Sequence, residues 1–425
     1  MYKKTTLRNG LRIITAPMKG AENRAATILL LVAAGSKYEN KKNNGISHFL
    51  EHLFFKGTEK RPNTLAISSA LDKVGGVYNA FTSQEYTGYW AKVDAKHFDL
   101  ALDWLADIYL NSKFEEKEIK KEKGVIIEEI NMYLDDPLRY VFDLWYELLY
   151  SDQPAGWPVI GKKQIISKFK RNDFLNYLED NYSAANTVIA IAGKIKEKEA
   201  LQKVKKCFQK IRVKKAKLKL KVKEKQKEPR ILNYFKETDQ THFCFGTRGY
   251  NLFDKRRYSQ QIIATILGGS MSSRLFISLR DKHGLAYYVH SFSENFTDSG
   301  CLLTHAGVDN KRVEEALKLI LEEYRSLKEK LVDEEELQKA KDYLKGRLIL
   351  SLESSDAQAS FYGLDEVLTG KILTPEEEIK QIEAVKKEEI LKTSRSLFQP
   401  EKLNLALIGP FKSKEPYLKI LKGGI

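Results

Sequence analysis

Cysteine is scarce in this chain of 425 residues: Cys207, Cys244 and Cys301 are odd in number, widely spaced and outside any C-x-x-C pair. That argues against a disulfide framework and against a cysteine-built metal site, and a reducing cytoplasm is the expected setting. Long apolar runs are missing too. The longest near the start, Ala25 to Ala34, contains Thr27 and is about half of the roughly 20 residues a membrane helix requires. The opening "MYKKTTLRNGLRIITAP" is basic but alternates polar and apolar residues. With no apolar h-region and no small-residue cleavage site, neither a secretion signal nor a membrane partner is expected. Acidic residues are outnumbered, leaving a net charge of +15, and +7 of it falls between Lys214 and Lys227, where eight lysines face one glutamate. No aromatic residue interleaves those lysines to stack on bases, so no nucleic-acid partner is expected. The stretch reads as a solvated linker or an edge defended by lysines.

What is present is a chain too long for one hydrophobic core, and its element order repeats. Residues 97–131 and 312–349 each begin an amphipathic helix around an Ala-Leu pair (Ala101-Leu102, Ala316-Leu317). Each then carries an acidic helix start ("FEEKEI", "VDEEEL") and a second long helix. Alternating, strand-like segments precede both. The expectation is an α+β protein of two homologous domains, each a mostly antiparallel sheet packed with helices. The boundaries fall at 1–213 and 230–425, with a Lys-rich linker at 214–229.

The two copies differ in chemistry. "GISHFLEHLFFKGT", residues 45–58, holds His48, Glu51 and His52, whereas the corresponding stretch of the second copy has no histidine or glutamate between Tyr258 and Arg280. On a helix His48 and His52 are about 40° apart on one face, close enough for both imidazoles to reach one zinc ion at about 2.0–2.1 Å. Glu51, at the edge of that face, is placed to hold a water without being a ligand. A third ligand is required, and "EKGVIIEEINMYLDDP" offers Glu122 and Glu129, seven positions apart and within roughly 20° of one face. Glu128 points about 100° away.

Read together, "HFLEHLFFKGT", "NAFTSQEYT" (Asn79–Thr87), "VIIEEINMYLDDP" and "LGGSMSSRLFISLRDKHGLAYYV" resemble the pitrilysin/insulysin-type zinc metallopeptidases, in their mitochondrial-processing-peptidase-like branch. The H-x-x-E-H order is the inverzincin signature. The resemblance implies a zinc endopeptidase with one Zn2+ per chain, held by His48, His52 and Glu129. It makes Glu51 the general base and Glu122 a supporting glutamate. It implies that Arg280 and Tyr287 of "RDKHGLAY" grip the substrate near the scissile carbonyl. It also implies that Asn79, Ala80, Phe81 and Thr82 form an edge strand to which a peptide adds.

Relatives of this branch pair as clamshells enclosing a chamber that admits peptides and unfolded segments. A homodimer is therefore expected, with a heterodimer of related subunits as the alternative pairing. The rival function is a non-catalytic scaffold or partner subunit of the same family, but such members lose ligands from the motif, and here all are present.

Overall fold

The central strands follow from their composition. "AATILLLV" and "TVIAIAG" are apolar on both faces and bury both, whereas "TGYWAKVD" alternates and keeps every second residue near solvent at its far end. In the computed structural model, which describes residues 2–20, 23–215 and 217–423, these strands build two sheets. The first contains β1 (Lys3–Thr6), β2 (Arg12–Pro17), β3 (Ala25–Val32), β4 (Val77–Thr82), β5 (Thr87–Asp94) and β6 (Thr187–Gly193), in the order β1-β2-β6-β3-β5-β4. The second contains β7 (Arg230–Phe235), β8 (Gln240–Arg248), β9 (Ala286–Asn295), β10 (Gly300–Asp309) and β11 (Leu403–Gly409), in the order β7-β11-β8-β10-β9.

Both sheets share a plan. One parallel pair (β2 with β6, β7 with β11) interrupts an otherwise antiparallel array, and an antiparallel pair of strands (β4 with β5, β9 with β10) ends at a free edge. Two long helices follow in each copy: Phe98–Asn111 and Glu116–Asp135 after β5, Val313–Glu329 and Glu334–Ser351 after β10. The α+β class and the duplication expected from sequence are what the fold shows. Among the described residues no helix is long and apolar enough to cross a membrane.

The compact units, however, are not the contiguous halves. One comprises Met1–Asn131, Pro158–Leu220 and Ile349–Thr374; the other comprises Met132–Trp157, Lys221–Leu348 and Pro375–Ile425. After its second long helix, each copy therefore lends one helix to the other unit. Asp136 caps the Pro137–Tyr150 helix through the amides of Leu138 and Arg139, with Pro137 at the first helical position. That helix lays Val141, Leu144, Trp145 and Leu148 on Cys244, Leu303, Ala406 and Ile408 of the second sheet. In return the Ser355–Thr369 helix, capped by Ser354, packs Ala359, Tyr362 and Val367 on Leu29, Leu31, Val188 and Ala190 of the first. Boundaries drawn at 213 and 230 do not describe this exchange. Periodicity shows that a helix has an apolar face, but it does not show which sheet receives that face.

The lysine-rich stretch has no regular secondary structure, and Ala216 within it lies outside the described residues. Up to Leu220 it runs along the first unit, where Lys219 pairs with buried Glu85 at 3.2 Å and Lys217 with Asp180 at 3.2 Å. From Lys221 it belongs to the second unit, where the amide of Lys223 donates to Gln153 at 2.8 Å.

Trp145 tests the exchange, because it is fully buried yet comes from the first copy of the repeat. Trp145→Ala is expected to destabilise the second unit by about 3–5 kcal/mol through lost burial and the cavity left behind. A denaturant titration that showed no loss would contradict the packing of this helix.

Candidate metal centre

The H-x-x-E-H segment forms a short helix, Ile46–Leu53, whose start is held unusually firmly. Gly45 sits at φ +92, where a Cβ would meet the backbone of Gly161 and Ile160 at 2.7 and 2.8 Å, so only glycine fits. Buried Glu39 accepts hydrogen bonds from the amides of Gly45 (2.7 Å) and Ser47 (2.9 Å) and from the Asn44 side chain (3.0 Å), satisfying free donors at the helix start. Phe49 packs on Phe169 and Phe174, and Phe54 packs among Tyr89, Tyr109 and Phe114. These contacts fix the rotation of the helix. The sequence reading missed Glu39, since a glutamate six positions before a glycine carries no capping signature.

With its apolar face anchored, the helix turns His48 and His52 toward the Glu116–Asp135 helix. Nε2 of His48 lies 3.7 Å from one oxygen of Glu129, and Nε2 of His52 lies 3.6 Å from the other. Among the described residues His48, His52 and Glu129 are the single group of three or more His, Cys, Asp or Glu side chains whose donor atoms all lie within 4.8 Å of one another. Three ligands of one tetrahedral zinc lie about 3.3–3.5 Å apart, given bonds of about 2.0–2.1 Å. The donors match a zinc site in chemistry, their separations of 3.7 and 3.6 Å are slightly wider than that spacing, and they stay partly open to solvent. Glu128, by contrast, is turned away and accepts from Asn131 at 3.1 Å.

Electrostatics separate the groups. Burial, helped by neighbouring His52, pushes His48 down to about 3, so its imidazole is neutral and has a lone pair to offer. For His52 burial alone would lower the pKa, but the hydrogen bond and charge of Glu122, with Glu129 and Glu51 nearby, outweigh it and the net direction is upward. Burial also raises the carboxyl of Glu51, against the opposing hydrogen bond from Thr82. Glu129 is raised by burial and by the charge of Glu122, with His52 opposing.

A second layer supports the first. Oε1 of Glu122 lies 2.8 Å from Nδ1 of His52, and Nζ of Lys56 lies 2.7 Å from the other Glu122 oxygen. Thr82 Oγ1 donates to Glu51 Oε2 at 2.5 Å. Thr82 ends β4, so Asn79, Ala80, Phe81 and Thr82 all lie on the free edge of the first sheet. Arg280 and Tyr287 belong to the second unit and stand together there. The guanidinium lies 5.4 Å from the tyrosine ring centroid and 5.0 Å from that of Phe276, and Tyr287 is 74% exposed.

Known proteins match this chain along its length. Residues 16–163 match the family model described as insulinase (peptidase family M16), and residues 168–344 match the peptidase M16 inactive domain. A Bacillus subtilis protein named uncharacterized zinc protease YmxG is 38% identical, over 96% of this chain and 98% of its own length. The chain belongs to peptidase family M16. A Rickettsia felis protein also named an uncharacterized zinc protease is 35% identical to this M16 chain, over 96% of it and 98% of the relative. The fold is shared with solved structures. A protease from Helicobacter pylori superimposes with a TM-score of 0.90 at 23% identity, over 96% of this chain and 99% of that one. A Pseudomonas fluorescens structure described as a peptidase M16 inactive domain gives 0.89 at 17%, over 97% and 98%. The second match, to a domain described as inactive, includes the stretch that lacks histidine and glutamate between Tyr258 and Arg280.

Proposed function

We propose that this M16 chain is a zinc-dependent endopeptidase that cleaves peptides or unfolded segments, with one Zn2+ per chain held by His48, His52 and Glu129. The observation that carries the proposal is the convergence of those three donors within 4.8 Å of one another beside the Glu51 carboxyl. Bound there, zinc supplies a Lewis acid that polarises the scissile carbonyl and makes a water more acidic. Glu51 takes the proton from the attacking water and returns it to the leaving amine. Thr82 holds the carboxylate in place by donating a hydrogen bond to it. Glu122 keeps Nδ1 of His52 engaged so that Nε2 faces the metal position. The free edge of β4 offers backbone donors and acceptors to an extended peptide, which would make recognition depend more on backbone than on side chains. Arg280 and Tyr287 both donate hydrogen bonds suited to a peptide carbonyl or a developing oxyanion.

The reading extends to a cytoplasmic homodimer, in which Arg280 and Tyr287 act within one subunit or across to its partner. Light scattering that returned the mass of one chain would contradict the dimer. For the chemistry, dialysis against a chelator is expected to abolish cleavage of a fluorogenic peptide, and one equivalent of zinc is expected to restore it. Cleavage that survives removal of all measurable metal would overturn the proposal.

A further inference from the structure

His48 and His52 are supported unequally. Nδ1 of His48 is buried with no hydrogen-bond partner among the described residues, whereas Nδ1 of His52 is engaged by Glu122. The rotation of the His52 ring is thus set by one carboxylate, and that carboxylate is gripped at its other end. Lys56 Nζ stands 2.7 Å from Glu122 Oε2, while Glu122 Oε1 faces His52 at 2.8 Å. The Glu122 side chain is 4% exposed and that of Lys56 22% exposed.

The position of Lys56 is built into the chain. It follows His52 by one helical turn in "HLFFKGT", where its amide closes on the Leu53 carbonyl at 3.1 Å as the helix ends. Gly57 then turns away at φ +137, where a Cβ would strike the Pro62 carbonyl oxygen at 2.5 Å. The turn carries the chain off the site and leaves the lysine stem lying back over the Glu116–Asp135 helix.

We infer that Lys56 is a positioning residue for the metal ligand His52, acting through Glu122 in a chain that runs Lys56, Glu122, His52, metal. An ammonium has three donors and no acceptor, so the carboxylate oxygen that meets it must accept. This pins one oxygen of Glu122 and turns the other onto Nδ1 of His52, which in turn aims Nε2 toward His48 and Glu129. Charge points the same way. Glu51, Glu122 and Glu129 place three carboxylates around the site. One divalent cation balances two of them, and Lys56 is the ion-pair partner of the third. Without Lys56 the buried Glu122 keeps His52 as its one hydrogen-bond partner among the described residues, and its second oxygen loses its ion pair.

The inference rests on the metal-site reading, and zinc binding by the purified full-length protein separates the two. Apo protein is prepared with a chelator and its zinc affinity is measured by competition with a chromophoric chelator. Lys56→Met is expected to weaken zinc binding by about tenfold, the lower end of the 10–100-fold typical of lost outer-shell partners. Lys56→Arg, which restores a cation able to meet a carboxylate, is expected to recover affinity to within about threefold of wild type. In a Glu122→Gln background Lys56→Met should have no further effect, since its route to His52 is already broken. Equal affinity of Lys56→Met and wild type, or the same tenfold loss with and without Glu122, would overturn the inference and leave the metal site standing. Failure of wild type to bind one zinc would overturn both. Should Lys56→Met not fold, Lys56→Gln carries the same comparison, with the apo melting temperature as the check on folding.

Discussion

Replacing Glu51 by Gln is expected to leave zinc binding intact and to slow peptide cleavage on the order of 10³-fold, within the 10²–10⁴-fold span of general acid–base catalysis. The two halves of that outcome come from different parts of the site. The donors facing the proposed metal position are Nε2 of His48, Nε2 of His52 and the Glu129 carboxylate, and none of them belongs to residue 51. Glutamine keeps the size of the side chain and a carbonyl oxygen that still accepts from Thr82, so the helix should not shift. The amide cannot take a proton from water. Equilibrium dialysis for zinc and steady-state cleavage of a fluorogenic peptide are read on the same preparation. Cleavage within a fewfold of wild type would remove Glu51 from the chemistry, and loss of zinc as well would make it a ligand or a structural support.

Glu129→Gln should act on the other half of the site. Zinc affinity is expected to fall on the order of 10²–10³-fold, taking apparent binding energies of about 10–16 kcal/mol shared over four ligands. Activity should fall with it at limiting metal. Glu128→Gln is the control, because the exposed Glu128 carboxylate accepts from Asn131. If the two variants bound zinc equally, the ligand would not be Glu129. An exchange of their effects would mean that the Glu116–Asp135 helix is rotated by about 100° from the arrangement described, one residue step on a helix.

Parts of this site can be read directly from the chain. His48, Glu51 and His52 lie on one helical turn, so their shared face follows from the helical period. The seven-residue spacing of Glu122 and Glu129 likewise puts both on one stripe. That stripe alone does not tell the two glutamates apart, and the distinction came from resemblance to a family. In three dimensions the difference is physical. Glu129 meets both imidazoles at Nε2, and Glu122 meets one of them at Nδ1 with an ammonium behind it. Lys56 and Glu39 were not legible as parts of the site, and Thr82, expected on the substrate edge, was not legible as the partner of Glu51. A lysine after a helix, a buried glutamate before one and a threonine ending a strand are ordinary residues until the fold shows what faces them.

By itself the sequence determined the duplication, the α+β class and the asymmetry by which only the first copy carries the histidines, because these are properties of composition and period along the chain. Only the tertiary structure decided that the Pro137–Tyr150 and Ser355–Thr369 helices change units. It alone decided that Glu129 is the acid opposite His48 and His52, and that Lys56 secures the carboxylate behind one of them. The physical reason is the same in each case. Helical and strand periods settle which residues share a face within one element, whereas the partner of that face is chosen by packing between elements far apart in the chain.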